Sequence, residues 1–249
     1  MRRPDRDEIV RRLPRWLVEK VPRDHRESDE AFRRRRRVTA GVSLAGAGLL
    51  GVSLSTRPDS TEFYALTLGV AGTWVAGGFA SGPLHLGWMQ ARDETLRRPV
   101  LQPVLTGVAT FAGFYACALV AREVPLLERA ISSVLSYADQ GNTSLVLLTT
   151  LANGAAEEVF FRGALYAALG DKHPVALSTA VYALATTATR NPALVLAAGA
   201  MGVVLGAQRR ASGGIQAPVL THLTWSTLML RYLPPLFAHD DAAPPLHRR

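Results

Sequence analysis

The sequence predicts an all-α polytopic transmembrane bundle of about seven spans (six to eight), on three observations. Charge is gathered into clusters, separated by charge-free runs at 38–56, 63–91, 99–121, 140–156, 173–189, 191–208 and 211–230. Most of these runs approach the roughly 20 apolar residues that a helix needs to cross about 30 Å of hydrocarbon. The basic residues are also unevenly placed. Of the 28 Lys and Arg, 14 precede Val38, against eight acidic residues there, so that this segment holds +6 of the formal +8. The mean hydropathy of +0.12 is modest because that polar segment dilutes an otherwise apolar chain.

Taken in order, residues 1–37 form a basic segment. The positive-inside rule, which counts basic residues next to spanning segments, puts it in the cytoplasm. The run Arg33 to Arg37 abuts an apolar span, which points to anionic lipid headgroups as its partner and not to nucleic acid. Ahead of it, Ile9, Val10, Leu13, Trp16 and Leu17 make a short apolar pattern interrupted by Pro14. No A-x-A cleavage site follows the first apolar run, so that run is expected to be a retained span and not a removed signal peptide.

The spans are placed at 38–55, 63–81, 101–121, 143–168, 173–189, 191–208 and 213–231. With the N-terminus inside, Arg92, Arg97 and Arg98, then Lys172, then Arg209 and Arg210 all fall on the cytoplasmic side. Between the third and fourth spans, Leu127, Ile131, Val134 and Leu135 recur at helical spacing beside Glu128, Arg129 and Ser132. That pattern predicts an amphipathic helix on the outer surface over 123–138. The expected organisation is therefore a basic segment (1–37), an N-terminal transmembrane half with an interfacial helix (38–142), a second transmembrane half (143–233) and a disordered tail (234–249).

The single cysteine, Cys117, excludes an intrachain disulfide. Lysine occurs only at 20 and 172, so 26 of the 28 basic residues are arginine. Such a bias follows from GC-rich codon usage, and it favours a bacterial inner membrane.

The fourth span carries the chemistry. In Gly154-Ala155-Ala156-Glu157-Glu158-Val159-Phe160-Phe161-Arg162-Gly163, three ionisable residues stand among apolar neighbours. Each charge near the bilayer centre disfavours insertion by roughly 2.5 to 3.5 kcal/mol, which makes such residues candidates for function. On an α-helix Glu158 and Arg162 share a face four residues apart and neutralise each other. Glu157, about 100° round the helix, has no partner nearby in sequence. Two carboxyls in such different surroundings are a usual source of a general base near neutral pH.

E-E-V-F-F-R-G resembles the E-E-x-x-x-R motif of the CPBP family of intramembrane glutamate proteases, which includes the CAAX prenyl proteases. The last span, with Gln216-Ala217-Pro218 leading to His222-Leu223-Thr224-Trp225-Ser226, is similar to that family's closing H-x-x-x-N element. The resemblance covers about a third of the chain. It implies that Glu157 activates a water for attack on a peptide carbonyl, that His222 contacts the oxyanion or the water, and that Glu158 and Arg162 support them. Two positions depart from the pattern. The middle motif F-x-x-x-H becomes Tyr182 to Thr186, and H-x-x-x-N becomes His222 to Ser226. Losing a preorganised donor typically costs about 10² to 10³ in rate, although Thr186 and Ser226 still offer hydroxyls that hold a water.

Depth along the helices agrees with a shared site. At about 1.5 Å per residue, Glu157 and His222 lie roughly 16 and 14 Å from the cytoplasmic ends of their spans. No H-E-x-x-H or similar ligand pair is present, so neither metal nor other cofactor is expected. Two functional readings follow. The first is an intramembrane endopeptidase acting on a membrane-associated peptide or protein. The second is a pseudoprotease of the same fold that binds such a partner without cutting it.

Overall fold

The computed structural model describes residues 27–91 and 95–237, and what it describes is almost wholly helical. The apolar pattern at 9–17, Arg92 and the tail beyond 237 lie outside the described residues. In chain order the helices are α1 (Asp29–Ser53), α2 (Thr61–Ser81), α3 (Leu101–Ala121), α4 (Pro125–Gln140), α5 (Thr143–Glu157), α6 (Pro174–Thr186), α7 (Pro192–Ser212), α8 (Gln216–Tyr232) and the short α9 (Pro234–Phe237). A π-helical stretch (Glu158–Leu165) and one α turn (Tyr166–Ala168) extend α5, and a 3₁₀ turn (Thr187–Thr189) extends α6. Each expected span coincides with a helix. Three of them, α2, α3 and α7, are long and apolar enough to cross a membrane by length and composition.

The starts of these helices follow from side chains that accept otherwise unpaired backbone N–H groups. Ser28 accepts from Ala31 N, Ser60 from Phe63 N, Asn142 from Ser144 N and Leu145 N, and Asn191 from Leu194 N. Several boundaries differ from the sequence expectation, among them the end of α7, which runs to Ser212 and past the expected 208. Helix α1 begins at Asp29 and not near Val38, because a capping serine followed by Asp29 and Glu30 starts it inside the basic segment. Helix α6 itself has 13 residues, about 20 Å, and the 3₁₀ turn after Thr186 completes the expected span to 189. Pro234–Phe237, expected as the start of a disordered tail, is a helical turn with Phe237 buried beside Ala118, Leu135 and Leu233.

The π-helical stretch is the central strut. Helix α2 packs along both it and α5, α8 packs on α5, α1 pairs with α2, α6 with α7, and α3 with α8. The core between them is built on Val70, Trp74, Ala156, Phe160, Phe161, Ala164, Leu165 and Ala185. Trp74 is wholly buried, its ring centroid 4.7 Å from Phe160 and 5.0 Å from Phe161. Gly46 of α1 makes room for the same indole: a Cβ there would stand 2.2 Å from the Trp74 ring. Close approach over a small residue is a common device for packing helices in lipid. Outward, Leu44, Phe79, Leu101, Val120, Leu184 and Leu196 are exposed, as an apolar solvent requires.

The ends of the bundle sort the charges. At one end the loop after α2 is bonded to the α7–α8 turn, with Ile215 N and Gln216 N donating to His85 O and Leu86 O and Trp88 N donating to Ser212 O. Gly214 lies so close to that loop that a Cβ would meet the Leu86 carbonyl carbon at 2.0 Å. A two-stranded hairpin (β1, Met89–Gln90; β2, Leu96–Arg97) sits in the same loop, and Arg98 stacks on Trp88 at 3.8 Å. The start of α1 joins this end, since Arg35 donates to Ser81 Oγ at 3.0 Å and Pro83 O at 3.2 Å. Arg33 to Arg37, Arg97, Arg98, Arg209 and Arg210 therefore gather there. At the opposite end the amphipathic helix α4 is fixed by Tyr137, which donates to Leu54 O and Thr56 O, and by Asn191, which donates to Ala130 O.

Arg35 differs from the rest of its run. Arg33, Arg34, Arg36 and Arg37 are exposed, but Arg35 is 1% exposed and is held by Glu27, with Nε donating to Oε2 at 2.9 Å. That hydrogen bond, reinforced by the guanidinium charge, holds the Glu27 carboxyl below its usual value of 4.5. A carboxyl lowered on folding contributes stability above its unfolded pKa and loses it as pH falls through the folded one. The thermal stability gap between wild type and Glu27→Gln in detergent is therefore expected to be full at pH 7 and to close at a pH below 4.5. A gap that persists unchanged into that acid range would show that Glu27 does not anchor Arg35 as a carboxylate.

Candidate active site

Four elements bring their side chains to one depth of the bundle: α5, its π-helical extension, α6 and α8. Glu158 and Arg162 are both 0% exposed, and Arg162 Nη1 donates to Glu158 Oε1 at 3.3 Å. The same oxygen takes a second contact from α8, where His222 Nδ1 lies 2.9 Å away. Toward an ionised carboxylate, which only accepts, Nδ1 would be the nitrogen that carries the hydrogen. His222 is itself buried, and its Cδ2 comes within 3.4 Å of where a Cβ on Gly154 would stand. That is an ordinary contact distance, so the imidazole lies against α5 without requiring a glycine there.

Glu157 has a different environment. It is only half-buried, and its Oε2 accepts a 2.6 Å hydrogen bond from the Tyr182 hydroxyl of α6. That length suits a hydroxyl bonded to a charged carboxylate. The Tyr182 ring rests between Phe161, at 4.7 Å between centroids, and the Arg162 guanidinium, 4.6 Å from the ring centre. Arg162 therefore serves both carboxylates, one through a direct contact and the other through the ring that holds it. Its backbone carbonyl accepts from Arg209 Nε at 2.6 Å, which ties the strut to α7.

The two departures from the family pattern are also placed. Thr186 is buried and its hydroxyl donates to Tyr182 O at 2.9 Å, one turn back on its own helix. Ser226 is buried one turn beyond His222. His173 is exposed at the start of α6, and His85 lies in the loop at the end of the bundle, away from this cluster. Among the described residues no group of three His, Cys, Asp or Glu is arranged to hold a metal.

Two features of the site are absent from the sequence reading. Glu157 has a partner, Tyr182, which lies 25 residues away and leaves no mark in local spacing. The helix carrying the motif is π-helical from Glu158 to Leu165 and not α-helical. π-Helical turns inside α-helices occur frequently at functional sites. The only sequence signal for either was the unusual density of ionisable and aromatic residues in that stretch.

The chain was compared with known proteins. No curated protein and no solved structure matches it. Residues 139–228 match the family model described as Type II CAAX prenyl endopeptidase Rce1-like. That stretch contains Glu157, Glu158, Arg162, Tyr182, Thr186, His222 and Ser226, so the likeness, which spans about a third of the chain, falls on the residues of this cluster.

Proposed function

We propose that the protein is an intramembrane endopeptidase that hydrolyses a peptide bond through a water activated by Glu157. The observation that carries this is the contrast between neighbouring carboxylates. Glu158 is sealed between Arg162 and His222, while Glu157 is partly open and held by one phenol. Glu157 takes a proton from water as the water oxygen attacks the carbonyl carbon. The C–N bond then breaks, and the same proton passes to the leaving amine. His222, with Nδ1 on Glu158, keeps Nε2 for the developing oxyanion. The substrate class suggested by the family description is a prenylated CaaX terminus.

A specific observation favours a second reading, a pseudoprotease that binds a membrane peptide without cutting it. The Thr186 hydroxyl is spent on its own helix and offers no donor to the site. The deciding experiment offers an internally quenched farnesylated CaaX peptide to purified wild type and Glu157→Gln, and compares peptides released in cells expressing each. Cleavage that depends on Glu157 supports the enzyme; identical profiles support the pseudoprotease.

The orientation belongs to the same proposal. The end that gathers Arg33 to Arg37, Arg97, Arg98, Arg209 and Arg210 faces the cytoplasm of a bacterial inner membrane, and seven helices cross. Single cysteines introduced into a Cys117-free protein test it. A cysteine at 210 is expected to resist an impermeant reagent in whole cells, and its labelling from outside would reverse the topology.

A further inference from the structure

We infer that Tyr182 is the positioning residue of Glu157, a role that rests on the endopeptidase reading above. Among the hydrogen bonds of the described residues, its hydroxyl is the one that reaches the Glu157 side chain, at 2.6 Å. A glutamate with three free torsions reaches many orientations, and one side chain donor selects among them. The phenol occupies Oε2, which leaves Oε1 to receive the proton of water.

The phenol is in turn fixed by its surroundings. Phe161 and Arg162 grip its ring from the π-helical stretch, and Thr186 bonds the carbonyl of the same residue from one turn on. The donor thus stands on a rigid support, as orientation of a catalytic group requires, since misplacement by about 1 Å can cost about 10²-fold in rate. The arrangement also gives α6 a part in the site that its residue 186 does not take.

The test uses the full chain and the farnesylated CaaX peptide. Tyr182→Phe keeps the ring, hence its packing on Phe161 and Arg162, and removes only the donor. The expected result is a kcat about 10- to 100-fold lower, with KM and thermal midpoint unchanged. A second comparison is made in the Glu157→Asp background, where the shorter carboxylate does not reach the phenol. There, Tyr182→Phe is expected to change kcat by less than about threefold, because coupled residues are non-additive. The inference is overturned by an unchanged kcat in Tyr182→Phe, by equal losses in both backgrounds, or by a lowered thermal midpoint with kcat and KM shifted together. Absence of any Glu157-dependent cleavage in the wild type overturns the endopeptidase reading as well, which separates the two failures.

Discussion

Glu157→Gln is expected to lower peptide cleavage by about 10² to 10⁴, the usual contribution of a general base, while folded yield in detergent stays at the wild-type level. The geometry gives both halves of this result. An amide nitrogen cannot accept the proton of the attacking water, so chemistry fails. The amide oxygen can still accept from Tyr182 at the position now held by Oε2, so the link between α5 and α6 survives. Glu157 is half-buried and makes no direct contact with Arg162 of the kind Glu158 makes, so neutralising it strands no partner. Adding Thr186→His and Ser226→Asn to the wild type extends the experiment. A working protease releases peptides before these changes, and a pseudoprotease only after them. A folding defect in Glu157→Gln, with peptide profiles like those of the wild type, would make Glu157 a structural residue.

Charge removal at the neighbouring pair is expected to act on stability and not only on rate. Glu158→Gln alone leaves Arg162, which is 0% exposed, without its acid, and breaking a buried pair in this way costs about 3 to 5 kcal/mol. Arg162→Met alone is expected to cost less, because His222 still touches Glu158 at 2.9 Å and can carry the balancing charge. The double variant is expected to recover much of the loss of Glu158→Gln, since no uncompensated charge remains. Folded yield and thermal midpoint in detergent provide the measurement. Losses in the double variant equal to the sum of the two singles would mean that the side chains do not interact in the folded protein.

The helices were legible because lipid imposes long apolar runs and clusters charge between them. Leu101–Ala121 was read to the residue, having charged neighbours on both sides and none within. Helix rise sets Glu157 and His222 at one level, and it is the neighbouring Glu158 that meets His222 directly, across 64 residues of chain. Other features were hidden for physical reasons. A π-helix differs from an α-helix in which carbonyl each N–H reaches, and composition hardly records that choice. The Tyr182–Glu157 bond depends on how α6 is rotated about its axis, which packing sets and periodicity does not. Arg35 looks identical to its four arginine neighbours in the sequence. Only the proximity of Ser81 and Pro83 distinguishes the one that turns inward.

Kinship and cohesion have different borders in this molecule. The likeness to a protease family resides in residues 139–228, yet the inner wall of that stretch is an indole contributed from outside it. Cutting the chain at the border of the likeness would bare Phe160 and Phe161 just where the strut carries its acids. The first two helices lie outside the matched residues, and their obligation is one of shape. They must return a flat aromatic wall, over a glycine at 46, at the level of the π-helical turn. A larger residue at 46 would therefore unseat the indole and, with it, the packing of Phe160 and Phe161 on which the strut rests.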